Sequence, residues 1–298
     1  MSLRQITAAE SGTCKLGDLV VNRIGFGAMR LPQTGRALVA DAVPRDRDAA
    51  ISVLRRAIEL GVNHIDTAAF YFSPLRSANE LINSALAPYP EDLVIATKVG
   101  PGRSPSGEWA DAARPDQLRG QVEENLRQLG RDHLDVVNLR VMASMTSIAE
   151  HVGALAELRQ AGLIRHLGVL GVTPERLAEA RAVAPVVCVQ NRYGIGTSAH
   201  EHAFVDACGE QGIAFVPFFS IAGKGGGAGF TGTENAGVLA VARSRGATPA
   251  QVRLAWALRR GPHVLVIPGT GDPDHLAANV AAAALRLTDD EMTRLTSV

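Results

Sequence analysis

Short apolar runs alternate with amphipathic stretches of helical period along almost the whole chain, and this rhythm leaves few folds open. The runs read as strands at Val62–Asp66, Leu93–Lys98, Leu134–Arg140, His166–Leu170, Val186–Gln190, Ala214–Phe218 and Val264–Ile267. Between them, Arg47–Leu60, Ser77–Leu86, Arg114–Leu129, Ile148–Ala161, Pro174–Ala182, Glu201–Gln211 and Pro249–Arg260 read as helices. Gly61, Gly130, Gly162, Gly212 and Gly261 stand where helix C-caps are expected. Thr173-Pro174 and Thr248-Pro249 read as N-caps followed by proline at the first helical position. An eighth strand fits Val20–Gly27. Ahead of it, Cys14–Ile24 carries a Gly17-Asp18 turn between two short runs, which suits a hairpin.

Strands alternating with helices call for a parallel sheet, either closed into a barrel or open and doubly wound. An open dinucleotide-binding sheet begins with GxGxxG running straight into a helix. Here Gly25-Phe26-Gly27-Ala28-Met29-Arg30 lacks the third glycine and soon meets Pro32. Gly223-Lys224-Gly225-Gly226-Gly227 lacks the Ser or Thr that follows the lysine of a P-loop, and its earlier glycine as well. No linker or shift in composition marks a second domain. The expected fold is therefore α/β: one (β/α)8 TIM barrel domain over residues 1–298, with the N-terminal β-hairpin across the barrel floor. Such barrels typically run to ~250 residues plus insertions.

Composition narrows the function. Apolar residues make up 46% of the chain, enough for a large core. Lys plus Arg and Asp plus Glu are both 30, without the basic excess of a nucleic-acid binder. No apolar run approaches the ~20 residues that span a bilayer, and the N-terminus lacks the apolar stretch of a secretory signal. Cys14, Cys188 and Cys208 are widely spaced and form no metal-ligand pattern. The expectation is a reduced, cytoplasmic protein with no metal, no nucleic-acid partner and no membrane partner.

Alternation then locates the chemistry. Residues of one parity share a face of a strand. His64 and Asp66 share one, as do Val94, Ala96 and Lys98 on the next strand, and Val136, Asn138 and Arg140 on the one after. Asp66, Lys98 and Arg140 end their strands, and strand C-termini form the active face of such a barrel. Asp66-Thr67-Ala68-Ala69-Phe70-Tyr71 places a phenol just above that rim. A structural ion pair between Asp66 and Lys98 would account for two of these four residues. Three such strand ends together with the tyrosine favour a chemical reading. Tyrosine is a poor acid, with an ordinary pKa of ~10, and an adjacent cation makes it a better proton donor. Lys98 can supply that cation and Asp66 can hold Lys98. A carbonyl accepting hydride builds negative charge on oxygen and needs such a donor.

The stretch from Gly61 to Tyr71 resembles the signature of the aldo-keto reductase family around its catalytic Asp and Tyr, and Thr97-Lys98 resembles the end of the family's lysine strand. The segments Gly162 to Val169, Val189 to Tyr193, and Ile267 to Thr270 with His275, Leu276 and Asn279 also resemble family segments. They run in family order over nearly the whole chain. The resemblance implies carbonyl reduction with NADP(H). Asp66, Tyr71, Lys98 and Arg140 would then be catalytic, and the substrate a small-molecule carbonyl compound. It also implies that Gly27, Met29, Gln190, Phe218, Thr270, His275 and Asn279 touch the cofactor. Gln190 and Phe218 would meet the nicotinamide, and Thr270 and His275 the 2′-phosphate. Lys224 lies in the stretch where the family has a loop over the pyrophosphate.

The sequence departs from the family in four places. Arg140 stands where a histidine is usual, Leu170-Gly171 where Ser-Asn is common, and Phe218 where many members carry Tyr or Trp. Gly269 and His275 stand where Lys and Arg often surround the 2′-phosphate, which leaves Thr270 and backbone amides near Asp272-Pro273 to bind it. Arg140 can stabilise a developing alkoxide, bind an anionic group of the substrate, or pair structurally with a carboxylate. The Val137-Asn138-Leu139-Arg140 ending resembles a bacterial subgroup that includes pyridoxal reductases. The alternative function is a nucleotide-binding scaffold or regulatory subunit with little turnover.

Overall fold

The computed structural model of the chain describes residues 5–110, 112–222 and 234–296. Seven strands pair in chain order, every pair parallel: Phe26–Gly27, His64–Asp66, Val94–Val99, Leu134–Arg140, Ile164–Leu170, Val186–Arg192 and Ala214–Phe218. The segment 264–266 supplies the eighth position. It bridges Phe215 on one side and Ile24 on the other, both in parallel. Leu265 N donates to Phe215 O at 2.9 Å, and Gly25 N donates to Val266 O at 2.8 Å. The sheet thereby closes into the expected (β/α)8 barrel, with helices outside it.

Side-chain alternation divides the core in two. Val94, Ala96, Val136, Cys188, Ala214, Val216 and Leu265 form one buried cluster inside the ring of strands. Residues of the opposite parity, including Ile65, Ile95, Val137, Leu139, Val169, Val189 and Phe215, belong to a separate cluster shared with the helices. The inner cluster also contains Leu16 and Val21, one from each arm of the hairpin Thr13–Leu16 and Leu19–Asn22. At its Gly17-Asp18 turn, the Asp18 carboxylate accepts from Arg165 Nη2 and His166 Nε2, both at 2.5 Å. The hairpin therefore plugs the N-terminal end of the barrel and leaves the strand C-termini open.

Two local expectations need correction. Val20–Gly27 is not one strand: the hairpin arm stops at Asn22 and the first barrel strand is only Phe26–Gly27. The break falls at Arg23, whose guanidinium donates to the carbonyls of Ser11, Val264, Leu258 and Gly261. Its backbone changes partners there: N donates to Gly12 O at 3.0 Å, and O accepts from Val266 N at 2.8 Å. Gly261 is not a left-handed cap either. Arg260 ends its helix in right-handed conformation, and Gly261 leaves room for the ring of His263. The cap at Gly130 is left-handed as expected, with φ 63°. Thr173 and Thr248 accept from the N–H groups of Arg176 and Gln251 at their N-caps.

Inside the barrel, Gly168 lies level with Asn138 on one neighbouring strand and Cys188 on the other. A Cβ at Gly168 would overlap Asn138 Oδ1 and Cys188 Sγ. A side chain is missing from one strand so that two others can fill the centre. Below the rim, His64 is fully enclosed, and burial pulls its pKa down to about 4, with Asp66 opposing and Lys98 assisting.

Gly168→Ala should lower the free energy of unfolding in urea by about 1–3 kcal/mol, the usual cost of overpacking. Gly153→Ala, in the open face of the helix Ala149–Gln160, should instead raise it by about 0.5–1 kcal/mol. His64 is neutral when folded, so its contribution is complete above pH 6.5. It declines as pH falls toward 4, because the unfolded chain takes up the proton first. The difference between wild-type and His64→Gln stability curves should therefore change between pH 6.5 and 4, by at most ~3 kcal/mol, and be flat from pH 7 to 8.

Candidate active site

A cavity of about 800 Å³ opens at the C-terminal mouth of the barrel. Asp66, Tyr71, Lys98 and Arg140 line it together with Gly27, Met29, Gln190, Phe218, Thr270, His275 and Asn279. Lys224 and its glycine-rich stretch lie outside the described residues. Parity explains the meeting. Asp66 and Lys98 project inward from adjacent strands and are 3% and 4% exposed, and register places Lys98 level with Asn138. Tyr71 follows a short turn in which its N–H donates to Ala68 O at 3.0 Å.

The buried carboxylate of Asp66 organises this mouth. Lys98 Nζ donates to Asp66 Oδ1 at 2.5 Å and to Thr67 O at 2.9 Å. Gln190 Nε2, from the opposite side of the barrel, donates to Asp66 Oδ2 at 2.6 Å. Burial drags the Lys98 ammonium down, but Asp66 and Tyr71 more than restore it, so it is held above its ordinary range. The Lys98 ammonium lies 5.0 Å from the centroid of the Tyr71 ring.

Tyr71 departs from expectation in one respect. Its phenol is held above its ordinary range, because burial outweighs the opposing pull of Lys98 and Arg140. The adjacent cation limits that rise and does not reverse it. The phenol is consequently protonated throughout the neutral range.

Arg140 is flanked by Trp109, whose ring lies 5.1 Å from the guanidinium carbon, and by Phe70 at 6.0 Å. Among the described residues no carboxylate or carbonyl engages it by an ion pair or hydrogen bond. A structural pairing with a carboxylate therefore does not explain it. Trp109 gave no signal in the sequence, since it belongs to the long loop after the third strand and meets Arg140 only through the fold.

Gln190 bears on whether a nicotinamide carboxamide fits. Its Nε2 is committed to Asp66, while its Oε1 is buried and without a partner among the described residues. A primary amide entering the cavity offers the N–H this oxygen lacks. At Leu170-Gly171, Asn191 Oδ1 accepts from the N–H groups of Gly171 and Val172, both at 3.0 Å, so a neighbouring strand supplies the local amide. Phe218 packs edge-on against Phe219 at 5.3 Å and presents an apolar surface to the cavity. Sequence reasoning missed Arg30 and Arg45, which line the wall near Thr270. Their position in the loop ahead of the first helix, on the active face of a barrel, was the one available signal.

The aldo/keto reductase family model matches residues 23–298. The chain is 45% identical to pyridoxine 4-dehydrogenase of Escherichia coli strain K12, over 97% of this chain and 98% of that one. A thermostable aldo-keto reductase solved with the inhibitor epalrestat is 27% identical, superposes with a TM-score of 0.79, and covers 96% of this chain and 98% of its own. An aldo/keto reductase of Klebsiella pneumoniae, solved with NADP and acetate, shares the fold at 23% identity and a TM-score of 0.73, covering 99% and 95%. The chain belongs to the aldo/keto reductase family and is an oxidoreductase of that class.

Proposed function

We propose that this protein interconverts a small, polar aldehyde of the pyridoxal kind and its alcohol, using NADP(H), with Tyr71 as the proton donor to the carbonyl oxygen. The observation that carries this reading is the meeting of a protonated, buried phenol, its lysine and carboxylate, and an unpaired guanidinium in one cavity. Similarity to a pyridoxine 4-dehydrogenase supports the substrate class.

NADPH, when bound, supplies the hydride. Gln190 Oε1 and the Phe218 ring would hold its nicotinamide end, and Gly27, Met29 and Asn279 would line its path. The chain's own residues handle the proton and the charge. Tyr71 holds a proton at its Oη for the carbonyl oxygen as negative charge develops there. Lys98, fixed by Asp66, stabilises the phenolate that remains. Its position is set before substrate arrives, so little reorganisation is needed as charge moves. Arg140 aims a second, permanent cation at the same oxygen. Trp109 and Phe70 set two aromatic rings beside the guanidinium, which suit its delocalised charge.

Tyr71→Phe removes only the hydroxyl. It should cut kcat for pyridoxal reduction by roughly 10²–10⁴ while leaving the dissociation constant for NADPH nearly unchanged. Near-full activity in that variant would refute the assigned donor. Absence of turnover by the wild type across an aldehyde panel would favour a nucleotide-binding scaffold.

Arg140→Met keeps the apolar stem and deletes the charge. A cation that acts on the developing alkoxide should lower kcat more than it raises KM. A change confined to KM would reassign Arg140 to binding an anionic substrate group. A lower melting temperature with unchanged kinetics would make the residue structural.

A further inference from the structure

The cavity wall at Thr270 and Asp272 presents an unsolved problem of charge. Pro273 has no N–H, and Asp272 Oδ1 accepts from the N–H groups of Asp274 at 2.8 Å and His275 at 3.1 Å. Asp272 N is itself engaged, donating to Thr270 Oγ1 at 3.1 Å. The amides expected to receive an anion at Asp272-Pro273 are therefore occupied by the helix's own cap, and the cap is a carboxylate. An anion approaching them meets repulsion and no free donor.

Across the same wall stands Arg45. Its backbone is anchored on both sides: N donates to Pro32 O at 3.1 Å, and O accepts from Arg76 Nη1 at 2.5 Å. The guanidinium lies against Gly271, where a Cβ would overlap its carbon. Nη1 donates to Gly271 O at 3.1 Å, and Nη2 makes a long bond of 3.4 Å to Gln33 O. Nε is buried and has no partner among the described residues, and no carboxylate among them forms an ion pair with the group. Burial opposes the charge, Arg30 adds to the opposition, and Asp272 offsets it only in part. A guanidinium so placed lacks one thing, an anion with several acceptor oxygens.

We propose that Arg45 is the residue that selects the phosphorylated dinucleotide, holding the 2′-phosphate of NADP(H) beside Thr270. The inference rests on the NADP(H) reading above. It places the selecting charge on the loop ahead of the first helix, some 226 residues from the Gly271 it packs against, and not on the late segment. Gly269 and His275 supply no fixed charge there. Gly271 then has a role of its own, because only a residue without a side chain admits the guanidinium.

The test is the ratio of dissociation constants for NADH and NADPH, measured by quenching of protein fluorescence on the whole chain without substrate. Arg45→Met should weaken NADPH binding by about 10–100-fold, the range of a charge-assisted hydrogen bond, and leave NADH within about twofold. Gly271→Ala keeps the charge but displaces it, and should reduce the same ratio; it decides the matter should Arg45→Met fold poorly. Equal weakening of both nucleotides would make Arg45 a loop support, and an unchanged ratio in both variants would remove it from the site; either result overturns the proposal. A wild type that binds NADH as tightly as NADPH would instead overturn the NADP(H) reading itself, and Arg45 with it.

Discussion

The mouth of this barrel depends on one buried carboxylate. Asp66 is 3% exposed, and each of its oxygens has a donor from a different strand: Lys98 on Oδ1 and Gln190 on Oδ2. Burying an ion pair costs desolvation that mutual attraction repays only with good geometry and further hydrogen bonds. Both conditions are met here, since the ammonium also reaches Thr67 O. Removing either partner would leave a charge in a closed interior. The pair therefore fixes Lys98, and through Lys98 the environment of the Tyr71 ring. The same carboxylate also aligns Gln190, whose free Oε1 is thereby turned to other use.

The tiers below the rim make that arrangement possible. His64 stays neutral under Asp66 because its enclosure disfavours protonation, which keeps a third charge out of the pair's surroundings. Gly168 clears the centre for Asn138 and Cys188, which bond to each other at 3.1 Å. Lower still, Leu16 and Val21 of the hairpin close the floor with apolar bulk. The interior thus passes from apolar at the sealed end to charged at the open end, and the polarity of the cavity follows from that gradient.

Much of this was legible in the sequence because β-structure writes its faces with a period of two. Counting parity from Asp66, Lys98 and Arg140 was enough to bring those residues to one rim, and Tyr71 lay a few residues on. What alternation cannot show is contact between loops. Arg45 meets Gly271 across the closure of the barrel, and Arg140 meets Trp109 because the loop after the neighbouring strand folds over it, and neither pairing leaves a local pattern. The helix Ala236–Arg245 escaped notice for another reason: its apolar residues are mostly small and form no marked stripe. The Tyr71 phenol was misjudged because a sequence names the neighbouring cation but not the depth of burial, and burial decides the direction.

The charges lining the cavity form an uneven set. Of its carboxylates among the described residues, Asp66 is bound to Lys98, Glu234 is paired with the buried Arg253 at 2.5 Å, and Asp272 is spent on its helix cap. Arg45 at one end and Arg140 at the other have no such partner, nor has Arg30, whose one hydrogen bond among the described residues goes to Gly35 O. Guanidiniums left uncompensated in a largely apolar cleft raise its potential, and a cleft with low-dielectric walls focuses that potential inward. The two ends need not serve the same anion. At the Arg45 end a permanent negative charge on a bound nucleotide would be matched in the ground state, and the gain would appear as affinity. At the Arg140 end, under the proposed mechanism, the charge is created only as the carbonyl is reduced, and the gain would appear as rate. Under the two proposals, a cavity built this way separates the cation that would choose the cofactor from the cation that would serve the chemistry, while the Asp66 carboxylate stays committed to Lys98 and neutralises neither.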